Sequence, residues 1–142
     1  MQLPLFALII SLGLLLPNQS FARYESAKGS MPVGGSASYL DLEPAFVVNY
    51  SGVGKLRYLK TDIALRLQAE SSAESQIRHH MPYIRHIIVM RLSRATKEEL
   101  SSMAGKELLR QDMLKQTRNM LIREDGQHFV DDLLFNSLIV QR

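Results

Sequence analysis

"KLRYLKTDIALRL", residues Lys55–Leu67, alternates strictly: Leu59, Thr61, Ile63, Leu65 and Leu67 fall on one side, against Lys60, Asp62 and Arg66 on the other. Successive side chains of a β-strand point to opposite faces, so a period of two with one apolar set specifies a strand with one buried face. The preceding run, "YLDLEPAFVVNY" (Tyr39–Tyr50), closes in β-branched and aromatic residues, which suit a pleated, half-buried surface. Between the two lies "SGVG" (Ser51–Gly54), whose glycines reach the positive φ of tight turns. The pair reads as a hairpin of long strands.

Helical signals follow. Ser71-x-x-Glu74 has the capping-box pattern, in which hydroxyl and carboxylate satisfy free backbone amides, so a helix is predicted from Ser71. Ile77, Met81, Ile84, Ile88 and Leu92 then recur at helical spacing and form one apolar stripe. Pro82 interrupts it, so the helix must kink or break there. Thr96-x-x-Glu99 is a second capping box opening a short turn, and Ser102 can cap a longer helix buried through Leu109, Met113, Leu114, Thr117, Met120 and Leu121. Gly126 is its natural stop. The last run, "HFVDDLLFNSLIVQ", sets Phe129, Leu133, Phe135 and Ile139 on one face and Val130, Leu134, Leu138 and Val140 on the other. A strand apolar on both faces is usually interior to its sheet. The resulting fold class is α+β: an N-terminal β-hairpin and a C-terminal strand form one small sheet packed by two helices, in the order β-β-α-α-β.

The chain divides into three parts. Residues 1–22 open with an apolar run, Leu3–Leu16, which is shorter than the roughly 20 residues a membrane-spanning helix needs. Ser20 and Ala22 stand at minus three and minus one of a cut after Ala22, as in a signal peptide, although no Lys or Arg precedes the run. The segment is therefore expected to be a cleaved signal or a retained N-terminal anchor. In both cases the body of the chain lies outside the cytoplasm. Residues 23–38, rich in Gly and Ser, read as a flexible linker with a reach of roughly 20–25 Å. Residues 39–142 form the folded domain.

Composition narrows the function. Hydrophobic residues make up 46% of the 142, too many for an intrinsically disordered chain. The absence of cysteine excludes disulfides, thiolate metal sites, thiol nucleophiles and a lipobox anchor. The net charge of +3 is spread through both signs, without aromatic interleaving, so nucleic acid is not an expected partner. Gly105-Lys106 resembles the end of a phosphate loop but lacks the earlier glycine, the following Ser/Thr and a preceding strand.

"HHMPYIRHIIVMRL", His79–Leu92, poses the site question. On a regular helix His79 and His86 project together, opposite the apolar stripe, but about 10.5 Å apart along the axis. A zinc ion with bonds of about 2 Å cannot bridge them, and His128 is remote in sequence. The histidines are expected to be solvated, and no metal, cofactor or catalytic set is expected. The arginines say more. No acidic residue occurs from Ser75 to Lys97, while Arg78, Arg85, Arg91 and Arg94 all do. These four are the candidate partner contacts, facing an anionic protein or lipid headgroups. The alternative is a solvated basic face balanced by acids from another element.

Four blocks in order carry a family resemblance: "PAFVVNY" with "LRYLKTDIALRL", "IRHHMPYIRHIIVMRLS", "ATKEELSSMAGKELLRQDML" and "VDDLLFNSLIVQ". Together, over residues 42–141, they resemble FliL, the flagellar basal-body-associated family. The resemblance implies a stomatin-like domain on the periplasmic side of the inner membrane. It implies a non-enzymatic role: self-association near the flagellar stator, with support of stator engagement, rotation and motility. FliL proteins usually carry a spanning helix behind a basic tail, which the short apolar run here does not reproduce. Direct anchoring beside the stator is thus an open expectation. Two other classes stay open: a lipid-associated stomatin-like scaffold without a stator role, and a periplasmic ligand-binding module.

Overall fold

The computed structural model describes residues 38–50 and 57–141. The turn at 51–54, the segment 1–22 and the linker as far as residue 37 lie outside the described residues. The elements are β1 (Ser38–Asp41), β2 (Phe46–Asn49), β3 (Tyr58–Leu67), α1 (Ala73–His79), α2 (Met81–Ser93), α3 (Lys97–Ser101), α4 (Met103–Asp125) and β4 (Val130–Val140). The expected α+β order survives, with the first strand and both helices each divided in two.

The alternating run becomes the centre of the sheet. β1 pairs antiparallel with residues 64–67 of β3, and β2 with residues 58–61. β4 pairs antiparallel with β3 over residues 59–67. A strand has two edges, so β1 and β2 share one of them end to end while β4 takes the other. The join between β1 and β2 holds a cis Glu43–Pro44 bond. Leu59, Thr61, Ile63, Leu65 and Leu67 are all buried, as their alternation required.

The last strand departs from the expectation. Among the described residues β4 pairs only with β3, so it is an edge strand and not an interior one. Two irregularities explain the misreading. The register runs Leu67–Val130, Leu65–Leu133, Ile63–Phe135, Thr61–Leu138 and Leu59–Val140, leaving Asp131 and Asn136 without opposed partners. Each extra residue flips the parity of those after it. Apolar residues of both alternation sets therefore gather on the single inner face. Ile139, opposite Lys60 on the outer face, is 53% exposed.

One polar side chain stands in the inner row of β3. Thr61 is fully buried, and its hydroxyl donates to the Ser137 carbonyl at 2.6 Å, beside the Asn136 irregularity. Thr61→Val keeps the shape and removes the donor, so it should cost about 1 kcal/mol of stability. Urea unfolding of the variant checks this; an unchanged midpoint would mean the bond contributes nothing.

The helices close the inner face. Ile77, Ile84, Ile88 and Leu92 of the predicted stripe are fully buried, and Met81 partly so. All six α4 positions read from the sequence are buried. The break falls at His80, just before Pro82, which puts the proline in the first turn of α2. There its missing N–H removes no intrahelical bond. The box at Thr96 forms in full, with Glu99 N donating to Thr96 Oγ1 at 3.2 Å and Thr96 N to Glu99 Oε2 at 2.8 Å. Ser102 Oγ accepts from Gly105 N at 3.0 Å, and Gly126 ends α4 at φ 79°. The box expected at Ser71 does not form. Ser72 is the N-cap, makes no capping bond, and gives its hydroxyl to the Glu70 carboxylate instead.

Candidate functional site

The four candidate arginines have different surroundings. Arg78, in the last turn of α1, is exposed and pairs with Glu74 one turn earlier at 2.7 Å. An exposed pair of this kind contributes a few tenths of a kcal/mol and exchanges readily with other anions. Arg85 is held inside the fold. Its Nη1 donates to the Leu42 carbonyl at 2.9 Å, and its guanidinium lies 4.2 Å from the centre of the Phe46 ring. It thus ties α2 to the join between β1 and β2, where the chain leaves one strand and carbonyls lose their ladder partners.

Arg91 is also internal. Its side chain is 16% exposed and forks onto two carboxylates, Glu99 at 2.7 Å and Asp112 at 2.5 Å. One guanidinium therefore joins α2, α3 and α4, a use that suits its planar array of donors. Burial works to lower the Arg91 pKa, but the hydrogen bonds it donates to both carboxylates, with their charge, outweigh it and the net shift is upward. The Arg91 bond holds the Glu99 carboxyl below its ordinary value, helped by the Thr96 amide. Asp112 is lowered too, first through Gln116 and then through Arg91. Arg94, the C-cap residue of α2, is exposed and has no ion-pair partner among the described residues. The acid-free stretch is thus balanced at Arg91 by acids from elsewhere in the chain, while Arg78 and Arg94 remain accessible.

The histidines divide as well. His79 and His86 are exposed, as expected, but His80 is 8% exposed and its Nε2 lies 2.9 Å from Asp125 Oδ2 at the end of α4. The expectation assumed one regular helix turning 100° per residue. Yet on that progression His80 already stands about 100° from His79, beside Ile84 at the edge of the apolar stripe, and its ring lies edge-on to His79 at 4.8 Å.

Two further arginines escaped the sequence reading. Arg118 donates to the carbonyls of Val130 at 2.9 Å and Asp131 at 2.5 Å, where the first irregularity of β4 disrupts the ladder. Arg110 reaches Asp132 and the Leu133 carbonyl at 3.0 Å while also holding Glu107. That contact, with Gln111, lowers the Glu107 carboxyl to about 2. Both arginines flank the buried stripe of α4 and fix it to β4. Only Glu107 stands at helical spacing from Arg110; the other acceptors, the Asp132 carboxylate and the carbonyls of Val130, Asp131 and Leu133, lie on β4, which no spacing rule brings to α4.

Among the described residues no group of three His, Asp or Glu side chains is placed to hold a metal ion, and no helix is long and apolar enough to cross a membrane. The geometry is that of a sheet packed by helices, with charged groups on its surface. A family model described as flagellar basal body-associated protein FliL matches residues 39–141. None of the curated proteins matches the chain.

Proposed function

Because this chain belongs to the FliL family, flagellar basal body-associated proteins, we propose that it is a non-enzymatic scaffold acting at the flagellar stator. In this reading the domain self-associates on the periplasmic side of the inner membrane and supports stator engagement, rotation and motility. The observation carrying it is the extent of the family match, which runs from the second residue of β1 to the residue after β4 and so takes in the helices and every strand.

The partner surface is centred on the accessible cations. Arg78 and Arg94 face outward, while Arg85 and Arg91 act at one remove by holding α2 in place. Rim charges of this kind govern association rate and orientation more than they govern affinity. The test is in-cell cross-linking of a C-terminally tagged chain, comparing the native sequence with an Arg78→Gln/Arg94→Glu variant. Stator subunits should be recovered with the native chain. The variant should accumulate normally while recovery and swimming speed fall by about half or more, since neutralising one steering charge and reversing another slows association severalfold. Native recovery without stator subunits would overturn the stator reading. Unchanged recovery and swimming in the variant would overturn the assignment of Arg78 and Arg94 alone.

A further inference from the structure

The corner between α3 and α4 faces the end of the sheet across a cavity of about 210 Å³, lined by Tyr50, Lys97, Leu100, Ser101, Lys106, Leu138 and Val140. We propose that this cavity binds a phosphate group, held between the ammonium groups of Lys97 and Lys106.

Charge is the first argument. Among the described residues neither lysine has an ion-pair partner and no carboxylate lines the cavity. The acids nearest in sequence are Glu98, Glu99 and Glu107. Glu99 is engaged by Arg91 and Glu107 by Arg110, and Glu98 is exposed outside the lining. Two like charges brought to one cavity without a counter-charge repel one another, and an anion between them removes that cost. Lysine holds phosphate as a compact point charge with three donors, without the bidentate geometry of an arginine fork.

The polar walls are the second argument. Tyr50 is 3% exposed, and its hydroxyl donates to the Gln141 carbonyl at 3.3 Å, near the long end of such bonds. Turning that hydrogen toward an anion therefore gives up little. Ser101 adds a second hydroxyl, which now donates to the Glu98 carbonyl at 3.0 Å. Leu100, Leu138 and Val140 supply the apolar part of the lining. The phosphate could be free or carried by a lipid headgroup, since the chemistry read by the two lysines is the same.

The test uses the full chain in micelles of a zwitterionic detergent, labelled for amide and methyl NMR. Inorganic phosphate is titrated first. Phosphatidylcholine vesicles with and without phosphatidylglycerol are then compared by co-sedimentation. Two variants are run beside the native chain: Lys97→Gln/Lys106→Gln, and Lys60→Gln/Lys115→Gln as an equal loss of charge elsewhere. Saturable shifts at Ser101, Lys106, Leu138 and Val140 are expected, weakened roughly tenfold or more in the first variant and kept in the second. Saturation by phosphate identifies a free anion. No saturation by phosphate, with vesicle binding that needs phosphatidylglycerol and the two lysines, identifies a headgroup. Binding in neither arm, binding retained by the first variant, or equal loss in both variants overturns the proposal. Spectra matching the native chain away from the cavity confirm that the first variant is folded, and either single substitution serves if it is not.

Discussion

Gly105→Ala is expected to destabilise the domain by about 3 kcal/mol or more, although glycine-to-alanine inside a helix ordinarily stabilises by about 0.5–1 kcal/mol. A Cβ built on Gly105 would stand 2.4 Å from the Glu99 carbonyl oxygen, 2.6 Å from its Cα and 2.8 Å from its carbonyl carbon. All three are backbone atoms, so no rotamer change relieves the contact. Either α3 moves off the first turn of α4 or α4 unwinds there. Both disturb Glu99, which closes the capping box at Thr96 and holds Arg91. In a domain of this size the loss corresponds to roughly 12–20 °C in Tm. Thermal unfolding by circular dichroism reads it directly. A variant as stable as the native chain would show that α3 does not pack against α4 in solution as described.

Arg91→Met is the second large effect, expected to cost about 2 kcal/mol near neutral pH. Methionine keeps most of the aliphatic stem, so the loss reports charge and hydrogen bonding and not packing. It leaves Glu99 and Asp112 facing one another without the cation between them. The figure is set below that of a fully buried pair because the Asp112 side chain is 42% exposed. The pH dependence has a definite sign. Both carboxyls have folded-state pKa values below the ordinary ones. Their contribution is thus complete above the unfolded carboxylate range, near pH 4, and fades as pH falls through the lower folded values. The gap between native and variant urea midpoints should be largest at about pH 7 and should shrink below about pH 4. A gap that is absent at neutral pH, or that stays constant into acid, would mean that Arg91 does not hold these acids.

These two positions mark where reading by pattern stops. Gly105 stood in the sequence as part of a failed phosphate-loop match, and nothing in its neighbours announced a backbone approach. Arg91 stood among four equivalent-looking basic residues, and only the fold separates it from Arg94. Its partners lie 8 and 21 residues away, on two other helices, and no spacing rule reaches that far.

The sequence by itself determined the alternating strand at the centre of the sheet, the buried stripes of both helical regions, the cap at Thr96, the start of α4 at Ser102 and its stop at Gly126. Each of these follows from a local period or a side chain acting on its own backbone, within reach of a few residues. The proline break was legible for the same reason, since Pro82 acts on the turn containing it. Tertiary structure alone decided that β4 lies at an edge, that Asp131 and Asn136 gather both its apolar sets onto one face, and that His80 meets Asp125. It also set Arg85, Arg91, Arg110 and Arg118 to work inside the domain, on carbonyls and carboxylates brought together by packing. Periodicity fixes which side of an element is apolar. Which elements meet, and which backbone groups they leave unpaired, depends on the register between strands and the approach of helices, and these are properties of the folded chain.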